Sequence, residues 1–372
     1  MEKWRPGQTY QEAMIKKMDL YIIRKYLGSF FFTMLLITMM AVVIDFSEKI
    51  NRFIDADLGV GQILKEYYLN FIPWINGMMW PLFSLLAVIF FTSRMAKNSE
   101  IVAFLSSGIS FNRFLRPFML SAGFLAVLSF TLSNFIIPPA NSERLEFENT
   151  YIKNPYKNRD KDIHMQIKPG QFIYMQSYNT KRNIGYKFSM EQFENNELQE
   201  KLFCNYIKWN ETTENWTVHN YFIRKIDHLN EEIIEGDTLV LTINLHPNDF
   251  NVRRSMVETM NMFQLNDYIK EERMKGSKNL VFHIIEQQKR FAYPFATLIL
   301  TIVAVAMASR KVRGGIGLHL GLGLLISFAY ILFMQVSTTF ATNGDLSPII
   351  AVWIPNLLFA SLGLYLLKKA PK

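Results

Sequence analysis

The chain has one cysteine, Cys204, among its 372 residues, so no disulfide can form within it. A lone thiol in a polar, strand-patterned stretch reads as a small buried strand residue. No glycine-rich loop ending in Gly-Lys-Ser or Gly-Lys-Thr occurs, which leaves the chain without an obvious means of hydrolysing a nucleotide. Neither HExxH nor CxxC is present, and the six histidines (His164, His219, His228, His246, His283, His319) lack metal-ligand spacing. Charged residues make up 19% of the chain, and within its apolar blocks the main polar side chains are Asn76, Asn134, Gln335 and Asn356. Ionisable groups at membrane depth tend to mark function, and no acid and base pair up there. These absences argue against an independent enzyme and against a cofactor of its own.

What is present is an arrangement. Half of the residues are hydrophobic, with 31 Phe and 19 Met, and they are concentrated in six blocks. Three blocks precede and three follow a polar insert of about 150 residues; one helical crossing of a bilayer needs roughly 20 apolar residues. Crossings are expected at about Tyr26 to Ile44, Tyr68 to Phe91, and Phe114 to Ile137, the last stopped by Pro138 and Pro139. Three more are expected at about Phe291 to Met307, Ile316 to Phe340 and Pro348 to Leu367. Pro73 and Pro81 should kink the second, because neighbouring helices in a membrane can re-satisfy freed carbonyls. The first block is too long, and lacks the small-residue site, for a cleaved signal; it reads as a retained anchor.

The net charge of +8 is distributed by side. Lys16, Lys17, Arg24 and Lys25 precede the first helix; Arg94, Lys97, Arg113 and Arg116 flank the second loop. Arg310, Lys311 and Arg313 occupy the fourth loop, and Lys368, Lys369 and Lys372 the tail. By the positive-inside rule these regions face the cytoplasm, both termini included, and the insert is extracytoplasmic. The basic excess is thus topological, and a nucleic-acid partner is not expected.

Within the insert, Gln171 to Gln176, Leu202 to Trp209, Thr217 to Ile226 and Thr238 to Leu245 read as strands. Turn clusters separate them at Lys168-Pro169-Gly170, Asn195-Asn196-Glu197, Asn210 to Asn215, Glu235-Gly236-Asp237 and His246 to Asp249; the sequons at Asn210 and Asn215 are read as turns. Regularly spaced short strands suggest a sandwich, jellyroll or barrel, with strand order unread. A helix is expected near Gln264 to Lys275, with Leu265 and Ile269 on one face. Phe172, Tyr174, Tyr206, Trp209 and Phe222 are read as inward aromatics, either core packing or the lining of a cleft for acyl chains.

The most specific local signal is the loop TSRMAKNSEIVAFLSSGISF from Thr92 to Phe111. Asn98 or Ser99 can cap a short helix near 98–108, Glu100 suits its first turn, and Gly108 supplies a left-handed stop. Ile101, Phe104 and Leu105 share one face, and Arg94 and Glu100 offer charge. The segment reads either as a helix on the lipid interface or as a coupling helix that docks into a cytoplasmic ATPase.

These residues carry a resemblance. Tyr21-Ile22-Ile23-Arg24, the loop from Ser99-Glu100-Ile101 to Ser107-Gly108-Ile109-Ser110, and the Arg290 to Pro294 entry to helix four resemble the lipopolysaccharide-export permease family, LptF and LptG. So do Gln335, Asn343-Gly344, Leu346-Ser347-Pro348, Ala351, Trp353 and Pro355-Asn356 in the late run. The resemblance implies a bacterial inner-membrane protein of six transmembrane helices, split three and three, with an inserted all-β, jellyroll-like periplasmic domain. The expected division is 1–138, 139–286 and 287–372. It further implies a pseudosymmetric dimer with a paralogous subunit, opening laterally between helix one of one and helix five of the other. A cytoplasmic ABC ATPase dimer would supply ATP hydrolysis, and a periplasmic jellyroll bridge protein would receive lipopolysaccharide. Glu100 matches the acidic coupling-helix position, with Arg94, Ser99, Phe104 and Gly108 around it. Lys49 matches a basic position near lipopolysaccharide phosphates. Lys49 and Arg52 at the far end of helix one can pair with phosphate, or simply snorkel to the interface. Two rivals remain at this stage: a membrane-anchored envelope scaffold, and a permease of another lipid or lipoprotein ABC system, although such permeases commonly carry their large domain after helix one.

Overall fold

A computed structural model describes residues 17–152, 161–227, 230–250, 254–277, 279–312 and 314–370. Lys16, Arg313 and Lys372, counted above toward the charge asymmetry, lie outside these residues, as does His228. The chain divides into two compact units: 1–140 with 288–372, and 141–287.

Among the described residues six helices are long and apolar enough to cross a membrane: α1 (Lys17–Asp55), α2 (Val60–Lys97), α4 (Phe111–Ile152), α6 (Leu280–Ala308), α7 (Gly315–Asn343) and α8 (Pro348–Lys368). A short α3 (Glu100–Ser106) joins α2 to α4, and α5 (Met262–Lys275) precedes α6. The helices overrun the expected crossings at most ends, because helical backbone continues past the apolar core into polar flanks. The largest difference is at Pro138 and Pro139, which do not stop the third helix; α4 runs through them to Ile152. A π-turn, Leu132–Ile136, lies immediately before them. Proline ends a helix because its ring meets the carbonyl four residues back and it lacks an N–H to give. A widened turn at that point relieves the clash, and the side-chain amide of Asn134 donates to the Phe130 carbonyl at 2.8 Å.

In the first unit the core is densest along α2, where Phe83, Leu85, Ala87, Val88 and Ile89 are fully enclosed. Gly323 of α7 meets this surface so closely that an added Cβ would lie 2.4 Å from Ile89 Cδ1. Asn356 of α8 donates to the Ala292 carbonyl of α6 at 2.9 Å and accepts from Tyr330 of α7 at 3.0 Å, so one buried amide joins three helices.

The described residues of the second unit form an antiparallel sheet of six strands in sequential order: β1 (Lys161–Lys168), β2 (Gln171–Asn179), β3 (Ile184–Glu194), β4 (Glu197–Asn210), β5 (Asn215–Asp227) and β6 (Asn230–Leu241). Neighbours in the sheet are neighbours in sequence throughout; the described strands form a meander and do not show the Greek-key crossings that define a jellyroll. Two strands escaped the sequence reading, β1 and β3. The expected turn at Glu235-Gly236-Asp237 is also corrected, since it lies inside β6. Gly236 faces Tyr221, whose ring fills the place of a side chain: a Cβ there would sit 2.6 Å from its hydroxyl. That glycine marks a close approach within a strand, not a turn.

A line of irregular pairing crosses the whole sheet. Asp162, Gln176, Lys187, Asn205, Asn220 and Asp237 sit side by side on the six strands, and regular partnering is interrupted at each. Asp162, Lys187 and Asn220 have φ of 53°, 49° and 51°, in the left-handed region. Pairing resumes beyond the line, but inward and outward alternation has slipped by one: Cys204 and Ile207 are both buried, three residues apart. The core face carries Ile173, Met175, Phe188, Leu202, Cys204, Ile207, Trp216 and Val218, closed by Leu245 and Phe250. Trp216 donates its indole N–H to the Leu245 carbonyl at 2.7 Å. Burial pushes the Cys204 thiol up to about 12. The expected helix is present as α5, started by an Asn261–Gln264 capping box and ended at Gly276, with Leu265 and Ile269 buried.

Candidate functional site

The Thr92 to Phe111 loop folds as its sequence suggests, with one difference at its start. Gly108 is left-handed at φ 82°, and Glu100 opens α3. Ser99, however, also has a positive φ of 60° and caps nothing with its side chain; its hydroxyl accepts from Lys311 Nζ at 3.4 Å. Asn98 is turned toward Glu100, donating from Nδ2 to Oε1 at 3.2 Å. Ile101 is buried and Phe104 packs on Phe114 at a centroid distance of 6.2 Å, while Val102 and Arg94 stand exposed. One face of α3 is therefore fixed to the bundle, and the other is free for contact.

The decisive partner of Glu100 comes from far away in sequence. Tyr21 of α1 donates its hydroxyl to Glu100 Oε2 at 3.2 Å. Two residues earlier, the Asp19 carboxylate accepts from both terminal guanidinium nitrogens of Arg113, each at 2.6 Å. Arg113 opens α4, where the Ser110 hydroxyl accepts its backbone N–H. The start of α1 is thus tied to the first residue of α3 and to the first turn of α4, the helix that follows it. Asp19 is 4% exposed, and the fork geometry of a bidentate guanidinium pair fixes orientation as well as charge.

Further along α1, Tyr26 is fully buried and shares hydrogen bonds with Ser84 of α2 at 2.6 Å and Thr301 of α6 at 2.9 Å. The Thr38 hydroxyl donates to Asn76 Oδ1 at 2.5 Å. At the far end, Lys49 is turned inward: it pairs with Asp45 at 2.6 Å, hydrogen-bonds the Tyr67 hydroxyl, and lies 4.7 Å from the centre of the Tyr67 ring. The Tyr68 hydroxyl completes the set on Asp45 at 3.2 Å. The charge expected to meet a phosphorylated headgroup is balanced within the subunit here, and Arg52 stands one turn further out, exposed.

In the second unit the five aromatics expected inside divide unevenly. Phe172, Tyr174, Tyr206 and Phe222 lie on the face opposite the core, Phe172 and Phe222 being about two-fifths exposed. Tyr206 stacks on His219 at 4.5 Å, and Phe222 packs on Phe203 at 5.3 Å. Only Trp209 packs against the core, beside Trp216. Alternation separates two faces but does not say which one is covered; here Ile, Met and Leu fill the interior. Among the described residues no cluster of His, Cys, Asp and Glu could hold a metal ion.

The comparison with known families now bears on a defined architecture. A family model described as lipopolysaccharide export system permease LptF/LptG matches residues 20–369. The chain belongs to the LptF/LptG family. The match takes in α1, the Glu100 loop, the whole sheet and the last three helices. LptF/LptG members are membrane permease subunits for lipopolysaccharide export, not catalytic themselves, acting in a complex with partner Lpt proteins. No curated protein matches the chain. Sequence reasoning placed Glu100 within this LptF/LptG chain but missed Asp19, Tyr21 and Tyr26 as its links to the bundle. Arg113 was visible only as a topological charge, since its partner lies 94 residues away.

Proposed function

We propose that this chain is one permease subunit of an ATP-driven exporter that extracts lipopolysaccharide from the bacterial inner membrane and passes it to a periplasmic jellyroll bridge. It pairs with a paralogous six-helix subunit, and both of its termini are cytoplasmic. A cytoplasmic ABC ATPase dimer docks at α3, on the free face around Glu100 with Arg94, Ser99, Phe104 and Gly108 shaping the loop. The observation that carries this reading is the hydrogen bond from Tyr21 to Glu100, with Asp19–Arg113 beside it. A pull on α3 reaches the end of α1 directly, and α1 is the least enclosed of the six long helices, with 11% of its most apolar stretch buried. An element held at few points can be moved by a modest force, which suits a lateral gate. Lys49 and Arg52 lie at the other end of that helix, where release of Lys49 from Asp45 would present its charge to headgroup phosphate.

The test is affinity purification of the full chain in mild detergent. Glu100→Ala should lower recovery of the nucleotide-binding partner at least about ten-fold, the loss typical of a hot-spot residue. Tyr21→Phe, which keeps the carboxylate, should retain the partner and lower export. Undiminished recovery with Glu100→Ala would end the docking assignment.

A further inference from the structure

A second polar site, outside the Glu100 network, lies where α2 ends and α7 begins. A small cavity there is lined by Ser93 and Lys97 of α2, Arg310 and Lys311 of the connecting loop, and Gly315 and His319 of α7. Three features converge on it. The first is charge: Lys97, Arg310 and Lys311 contribute three cations, and among the described residues none is paired with a carboxylate. The second is the start of α7, a 29-residue helix whose first turn no side chain caps and whose first residue, Gly315, lines the cavity.

The third feature is an orphaned atom. His319 is 4% exposed, and its Nε2 lies 3.0 Å from the Arg310 carbonyl. A carbonyl oxygen can only accept, so Nε2 carries the hydrogen, and in the neutral ring Nδ1 holds a lone pair. That Nδ1 is buried without a partner. Ser93, 2% exposed, gives its hydrogen to the Phe90 carbonyl and so also turns lone pairs outward. The residues around the cavity thus bring together three cations and a helix N-terminus for an anion, with buried acceptors beside them for a hydroxyl.

We infer that this cavity is a binding site for a phosphate-bearing headgroup that also carries hydroxyl donors, the chemistry of an anionic phosphoglycerol lipid. Basic pockets between membrane helices on the cytoplasmic side take such headgroups, and the surface potential of that leaflet concentrates them. The inference rests on the proposed topology only for the leaflet that supplies the lipid. Because Lys311 also donates to Ser99 at the start of α3, a bound headgroup would lie beside the helix proposed to receive the ATPase.

The full-length chain is reconstituted in nanodiscs of equal parts phosphatidylglycerol and phosphatidylcholine, extracted into mild detergent, and its retained lipid identified by native mass spectrometry. Phosphatidylglycerol should be retained in preference to phosphatidylcholine. K97Q and R310Q should each lower that retention about five-fold, and the double variant further. His319→Phe should lower it, whereas His319→Gln, which keeps an acceptor, should restore part of it; the pair K368Q and K369Q should leave it unchanged. Monodisperse elution of each variant reports that the bundle is intact. Displacement of the lipid by inorganic phosphate supports the shared phosphate chemistry. Phosphate binding with no phosphatidylglycerol retained would overturn the lipid source, and unchanged retention in the double variant would overturn the site. Loss of a co-purifying cytoplasmic protein from the double variant, with phosphatidylglycerol kept, would assign the cations to a protein surface instead. The lipid-retention readouts require neither export nor an ATPase, so the proposed function can fail while this site stands, and the reverse.

Discussion

Helices α1 and α2 pack side by side, and the most apolar stretch of α1 is more apolar than that of α2, yet 11% of it is buried against 72% for α2. In water the more apolar helix would be the inner one. In a bilayer both surroundings are apolar, and burial follows packing shape and hydrogen-bonding groups instead. The inner helix carries Ser84, Thr92 and Ser93 among its enclosed residues, and Gly77 and Gly323 bring side chains of neighbouring helices within 2.5 Å of where a Cβ would stand. Helix α1 is held along one stripe, Asp19, Ile22, Tyr26, Phe30 and Thr38, at helical spacing. Its other faces present Phe32, Leu36, Met40 and Ile44, all exposed in the subunit.

Substitution can break this contrast. Phe83→Ala in α2, fully enclosed, should cost about 3–5 kcal/mol, whereas Phe32→Ala in α1, 57% exposed, should leave subunit stability within about 0.5 kcal/mol. Unfolding of the detergent-solubilised chain in denaturant measures both. Equal effects would mean that α1 is a core element after all. Asp19→Ala should come next, at about 2 kcal/mol: a fully buried broken pair costs about 3–5, but Arg113 retains 24% exposure and partial solvation. Tyr26→Phe removes one hydroxyl from the three-helix cluster and should cost about 1 kcal/mol, with Ser84 and Thr301 still bonded to each other at 3.2 Å.

At neutral pH the smallest effect concerns the β unit, and it is read by raising pH. A thiol whose folded value is raised to about 12 is held neutral by the fold, while the unfolded chain loses that proton near its ordinary value of 9.0. The unfolded state then binds fewer protons, so stability present below pH 9 declines as pH rises from there toward 12. Maleimide labelling of Cys204, the only cysteine, should be slow at neutral pH and accelerate across that window. Fast labelling at neutral pH would show that the sheet's core face is open.

Length and apolar periodicity made the six long helices and most strands legible, because a helix crossing a bilayer must be long and apolar and a half-buried strand must alternate. Their limits were harder to read. Pro138 and Pro139 looked like a stop because a soluble helix would end there, and Glu235-Gly236-Asp237 looked like a turn because the partner filling its space, Tyr221, is on another strand. The face of the sheet holding Phe172 and Phe222 was misjudged because alternation separates two faces without saying which is covered, and along β4 and β5 it also reverses at Asn205 and Asn220.

The sequence by itself determined the order of elements, the separation of apolar helices from a polar sheet, and the loop that carries Glu100. Those properties are local, set by hydrophobic run length, turn residues and backbone propensity. The tertiary structure alone decided which helix lies inside, that Glu100 meets Tyr21, that Lys49 meets Tyr67, and that His319 stands beside Lys97. Each of these joins groups that chain connectivity leaves apart, and only packing brings them within a hydrogen bond or a shared cavity.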